Sequence, residues 1–164
     1  MERTDTYVSP LETRYAGSAM RILFGDQRKF STWRRLWLAL AQCQKELGLN
    51  ITDAQIAQMA AHLDDIDFEK AAAYEKKLRH DVMAHIHAYA DVAPEARPII
   101  HLGATSQYVV DNTDIMLMRE GLGILIGLLV NVIDALGKFA RQYRDLPCLG
   151  FTHFQAAQMT TVGK

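Results

Sequence analysis

Cysteine is nearly absent from this sequence: Cys43 and Cys148 are the only two, and they show no CxxC or zinc-type spacing. Two are too few for a disulfide framework, so a reducing, cytoplasmic setting is expected. An excess of charge of one sign is missing too. Eighteen basic residues against nineteen acidic ones leave a formal net charge of -1, so no general field favours nucleic acid or an anionic membrane, and there is no basic stripe. An anionic ligand would have to be held by local groups. The N-terminal Met1-Glu2-Arg3-Thr4-Asp5 lacks the apolar core of a signal peptide. The most apolar window, Gly121 to Ile133, is free of charge but holds only thirteen residues, three of them glycine. Roughly twenty apolar residues are needed to cross a bilayer, so no membrane span is expected.

What is present suits a packed, helical protein. A chain of 164 residues with 49% hydrophobic content fits one domain or one and a fraction. From Tyr7 to Asp26 there is no clear periodicity, and Pro10, Gly17 and Gly25 punctuate an expected irregular arm. Asp26 to Leu47 predicts a helix: Phe30, Trp33, Leu36, Trp37, Leu40 and Ala41 recur at three- and four-residue steps, and Gly48 follows as a stop. That aromatic stripe reads as core. Thr52-x-x-Gln55 forms a capping box for a second helix ending near His62, and Asp67 caps a third from Phe68 to about Leu78. A fourth follows Arg79-His80-Asp81 and runs to Val92, before Pro94 and Pro98. The stretch from about Asp111 to Arg144 contains no proline and predicts a single helix, about 50 Å long. Its apolar residues spread around the helix, and Gly121, Gly123 and Gly127 point to close approach by other helices. Such a rod cannot bury itself within this chain, so a larger bundle is expected. The fold class is all-α, with an N-terminal helical domain over 1–110 and the start of a long-helix bundle over 111–164.

Four short stretches carry groups suited to chemistry. Arg14-Tyr15 pairs a fork of N–H donors with a phenol, which suits a phosphate or carboxylate; a surface arginine beside a packed tyrosine fits equally. In Arg79-His80-Asp81, Asp81 falls in the first turn of a helix, where its charge complements the dipole. Capping alone accounts for Asp81, and His80 beside it serves either as a hydrogen-bonding partner for substrate or as a core residue. His101-Leu102-Gly103-Ala104-Thr105-Ser106 places backbone N–H groups and two hydroxyls ahead of a long helix, an arrangement that receives anions and that simple N-capping also explains. Last, Leu149-Gly150-Phe151-Thr152-His153-Phe154-Gln155 sets an imidazole in a short extended segment followed by a run expected to be helical. An unperturbed histidine titrates near pH 6.5, so such a group readily gives or takes a proton. His80, His85 and His87 are separated by five, two and seven residues, none of them the three- or four-residue step with which a helix shares a metal, so no metal is expected.

The stretches Ser9-Pro10-Leu11-Glu12-Thr13-Arg14-Tyr15, Lys77 to His85, Ile100 to Ser106 and the segment around His153 resemble, in the same order, the motifs of the adenylosuccinate lyase family of the fumarase/aspartase superfamily. The resemblance covers nearly the whole chain and is nearest to the animal-type branch. Ala156 departs from it, standing where that branch has proline. The resemblance implies elimination of fumarate from a succinylated purine nucleotide without a cofactor. It implies His153 as general acid, with His80 beside it among the catalytic groups. Arg14 and Tyr15 would hold the nucleotide, Arg79, His80 and Asp81 would line the pocket, and Thr105 and Ser106 would take a succinyl carboxylate. Thr152 and Gln155 are further contacts, and His101 lies behind them or touches substrate. It also implies a homotetramer, with each active site drawn from three subunits around a central helical bundle. The family's serine base and its following signature are absent from these residues. The last residues read as an unfinished helix, so an N-terminal piece, inactive alone, is expected. The rival expectations are another fumarate-releasing lyase of the superfamily and a non-catalytic helical interaction module.

Overall fold

A computed structural model describes residues 6–164; the polar stretch Met1–Asp5 lies outside the described residues. Six α-helices precede a two-stranded hairpin: α1 Ser18–Leu23, α2 Asp26–Glu46, α3 Asp53–Ala61, α4 Phe68–Leu78, α5 Asp81–Val92, α6 Gln107–Gln142, β1 Pro147–Thr152 and β2 Gln155–Thr161. The chain divides into two compact units, one reaching Glu120 and the other Gly121–Lys164.

In the first unit the helix ends are set locally. Gln55 N–H donates to Thr52 Oγ1 at 3.2 Å and Thr52 N–H to Gln55 Oε1 at 2.9 Å, so both halves of the capping box form. Asp67 Oδ1 accepts from Lys70 N–H at 2.9 Å at the start of α4. α2 stops where Leu49 N–H reaches Gln44 O and Gly48 N–H reaches Lys45 O, the paired bonds of a Schellman turn. The arm is more ordered than its sequence predicts. A single π-helical turn, Leu11–Tyr15, precedes the short helix α1, because Ser-Ala-Met-Arg-Ile-Leu contains no breaker once Gly17 has been passed.

The core of this unit gathers Trp33, Trp37 and Ala41 of α2, Met59 of α3, Val82, Ile86, Tyr89 and Ala90 of α5, and Val109 at the start of α6. Tyr89 O–H donates to Met59 O at 2.6 Å, and Tyr108 O–H to Leu36 O at 2.9 Å. These bonds satisfy phenols that burial would otherwise penalise. Arg34, only 2% exposed, lies over the Tyr89 ring at 4.4 Å and reaches the Asp65 carboxylate at 2.9 Å. Paired on both faces, its charge is tolerated inside.

α6 runs four residues further back than expected and ends two sooner. The bond from Tyr108 O–H to Leu36 O of α2 and the burial of Val109 draw the residues before Asp111 into the helix. Beyond Gly121, Leu122, Leu125, Ile126, Leu129, Ile133 and Leu136 are all half exposed or more. An added Cβ at Gly123 or Gly127 would meet nothing, so the close approach those two glycines invite is not made among the described residues. An 18-residue window of α6 has a mean hydropathy of 1.9. By length and composition the helix could cross a membrane, which the thirteen-residue window alone did not suggest.

The residues after His153 form a strand, not the expected helix. β2 pairs antiparallel with β1, matching Thr152 with Gln155, Phe151 with Ala156 and Leu149 with Met159. The register slips by one at Gly150, opposite Ala157 and Gln158. A Cβ at Gly150 would come within 3.1 Å of Gln158 O, so a larger residue there would press on the bulged backbone opposite. Alanine and glutamine are good helix formers, but the preference is worth only tenths of a kcal/mol per residue, and pairing with β1, together with the β-branched Thr160 and Thr161, outweighs it.

Candidate active site

Among the described residues, four that are not glycine have positive φ: Arg79 at 55°, His101 at 67°, His153 at 51° and Phe154 at 62°. All four fall in stretches singled out for their chemistry. Left-handed backbone is costly for such side chains and persists where surrounding structure holds it, commonly at working sites.

Arg79 closes α4 and turns the chain into α5. His80 is the N-cap of that helix, its Nδ1 facing Met83 N–H at 3.4 Å, while Asp81 Oδ1 accepts from Val82 N–H at 2.7 Å. His80 Nδ1 also lies 3.5 Å from Asp81 Oδ1. Capping requires that nitrogen bare and the ion pair requires it protonated, so the two contacts exclude each other. Arg79, His80 and Asp81 are all exposed.

The loop ahead of α6 is held from α2. Trp37 Nε1–H donates to His101 Nδ1 at 2.9 Å, and Gln44 Nε2 donates to Leu102 O at 2.8 Å. Burial lowers the His101 pKa, and the neighbouring His80 lowers it further. Thr105 is exposed and Ser106 partly so, and backbone bonds, Tyr108 N–H to Thr105 O and Val110 N–H to Ser106 O, form the first turn of α6. Arg14 and Tyr15 are exposed on the arm, the guanidinium 5.7 Å from the phenol ring. No hydrogen bond or ion pair among the described residues joins them to the other candidates. An open hollow of about 580 Å³ beside them, lined by Leu11, Met20, Arg21 and Phe24, contains none of the candidates.

In the second unit His153 and Phe154 form the two-residue turn of the hairpin. Both have positive φ, the requirement of a type I′ turn usually met by Asn-Gly. Thr152 Oγ1 lies 2.8 Å from His153 Nδ1, and Thr152, His153, Phe154 and Gln155 are all exposed. Ala156 pairs with Phe151, one step from the hydrogen-bonded pair flanking the turn. Its N–H therefore points away from β1, so the proline that alanine replaces would lose no ladder bond there either.

His85, one of the histidines weighed for a metal, is a core group. It stacks on Phe30 with ring centroids 3.7 Å apart, and burial pushes its pKa down to about 4. The stripe on α2, read as core alone, also supplies the anchor of the His101 loop. The available signal was that a buried tryptophan needs a partner for its N–H.

The profile of a protein family described as "Lyase" matches residues 27–164. The chain belongs to that lyase family. It is 53% identical over 163 residues to the adenylosuccinate lyase of Saccharomyces cerevisiae, covering 98% of this chain and 34% of that protein. It is 51% identical to the adenylosuccinate lyase of Schizosaccharomyces pombe, covering 100% of this chain and 35% of that one. Its fold superposes with a TM-score of 0.83 on the 3-carboxy-cis,cis-muconate lactonizing enzyme from Pseudomonas putida, at 26% identity, covering 93% of this chain and 36% of that one. The all-α class expected of the lyase family holds, with one hairpin added. The chain spans about a third of the length of the curated relatives it matches.

Proposed function

We propose that this chain carries the proton-donating side and much of the binding surface of an enzyme that releases fumarate from adenylosuccinate, leaving AMP. The same groups would serve the succinylated aminoimidazole carboxamide ribotide. A base removes a proton from the succinyl carbon beside a carboxylate, and negative charge grows on that carboxylate. The C–N bond then breaks as a C=C bond forms, and an acid protonates the departing nitrogen.

In this reading His153 is the acid, held at the tip of a turn where its ring is free of packing. Thr105 and Ser106, at the positive end of α6, receive a succinyl carboxylate. Arg79, His80 and Asp81 line the pocket with His101 behind them, Arg14 and Tyr15 hold the nucleotide phosphate, and Thr152 and Gln155 flank the acid. The base comes from sequence outside these residues. The single observation that carries this reading is identity of 51–53% with two adenylosuccinate lyases across essentially the whole chain.

The exposed apolar surface of α6 is covered by protein, in a cytoplasmic homotetramer whose subunits share active sites; the match of a lyase family across the helix supports protein as its cover. Residues 1–110 then act as a binding domain and 111–164 as the beginning of the bundle.

The test joins this chain to the remaining two-thirds of the Saccharomyces cerevisiae enzyme and follows fumarate release from adenylosuccinate. The chimera is expected to turn over, His153→Ala to lower its rate by about two or more orders of magnitude, and the 164-residue chain alone to show no sustained turnover. A folded, assembled chimera without activity, or one indifferent to loss of His153, would remove the proposal.

A further inference from the structure

We propose that Trp37 is a positioning residue whose indole N–H fixes His101 as a neutral imidazole, bare at Nδ1 and protonated at Nε2. The loop then offers a hydrogen-bond donor and not a cationic acid. An indole nitrogen only donates, so the imidazole nitrogen facing it at 2.9 Å must carry a lone pair. Protonating His101 at that nitrogen would set N–H against N–H and strand a buried donor.

Neither partner can turn away. Trp37 is 1% exposed and lies between the Trp33 and Tyr89 rings, each centroid 6.1 Å away, with the His101 ring perpendicular to its own. His101 is held left-handed at φ 67°, and the loop after it is tied by Gln44 to Leu102 O and by Ala104 N–H to His101 O. The two tryptophans of α2 make the contrast. Trp33 Nε1, four residues earlier, is buried without a partner among the described residues, whereas Trp37 spends its donor on the loop. The titratable group that acts on His101 is His80, from the start of α5, and like the burial of the ring it disfavours a positive charge there.

The consequence for catalysis rests on the lyase reading above. Proton transfer is left to the exposed histidines, and His101 contributes a fixed Nε2–H to an oxygen of the substrate or of its neighbours. The placement of the proton does not depend on that reading.

Long-range 1H–15N correlation spectra of the intact chain report the tautomer directly, with His101→Gln assigning the signal. At pH 7 His101 is expected to show a bare Nδ1 and a protonated Nε2, and to take up its second proton only below the ordinary histidine range. Replacing Trp37 by 3-benzothienylalanine keeps the bicyclic shape and removes the N–H. The protonation midpoint should then rise by about one pH unit, tenfold in the constant, with mixed tautomers. An Nδ1–H tautomer in the unsubstituted chain, or a midpoint and tautomer untouched by the replacement, would overturn the proposal. The unsubstituted spectrum decides even if the replacement unfolds the chain. Neither spectrum depends on turnover, so an inactive chimera would leave this result standing, and the reverse holds as well.

Discussion

The two units differ in where their apolar surface goes. The first hides Trp33, Trp37, Tyr89, Met59, Val82 and Val109 almost completely, caps its helix ends and pairs its buried arginine. In the second, no described residue after Gly121 is buried, although α6 is one of the most apolar segments of the chain. The first unit therefore has its own source of stability. The second has its apolar surface in place, and none of its own described residues covers it. Equal hydrophobicity does not mean equal core; what differs is whether other elements converge on the face.

The comparison breaks first if the tryptophan cluster is not the source of stability. Trp33→Ala leaves a void among Phe30, Trp37 and His85 and is expected to cost about 3–5 kcal/mol in urea unfolding. A loss below about 1 kcal/mol would mean that the first unit is far looser than its burial implies. Both tryptophans lie on α2, so fluorescence of the remaining Trp37 reports this unit alone.

Acid sharpens the same contrast. The folded pKa of His85 is about 4 against an ordinary 6.5, so the unfolded chain binds the proton more readily than the folded one. The stability contributed by this neutral, stacked ring is complete above about pH 6.5 and is lost as pH falls towards 4, by up to about 3 kcal/mol. His85→Gln should flatten the dependence of the unfolding midpoint between pH 7 and 4.5. An unchanged slope would assign the acid loss to other groups.

The smallest effect is expected on α6. Leu129 is 57% exposed, and lysine is nearly as good a helix former, so Leu129→Lys should move the fluorescence-detected midpoint by less than about 0.5 kcal/mol. A shift above 1 kcal/mol would show that the first unit draws on this face after all, and the contrast would fail.

The capped helices were open to reading because each signal lies within a few residues of its effect. Thr52 with Gln55, Asp67 and Gly48 mark boundaries within one turn of where they occur. The short α1 was missed because a helix of six residues carries too little periodicity to register. The strand after His153 was missed because Ala156, Ala157, Gln158 and Met159 lean towards helix until β1 offers a partner. Of the candidate site, the residue types were plain, but not their restraint. Nothing near His101 in the chain announces that Trp37, 64 positions away, fixes the ring.

By itself, then, the order of residues determined the caps, the helix periods and the chemistry-bearing stretches, because those depend on neighbours a few positions apart. Tertiary structure alone decided that Gln155–Thr161 is a strand, that His85 is a neutral core ring and that the His101 loop hangs from α2. Each of these depends on burial or on a hydrogen-bond partner that the chain supplies only once it has folded back on itself.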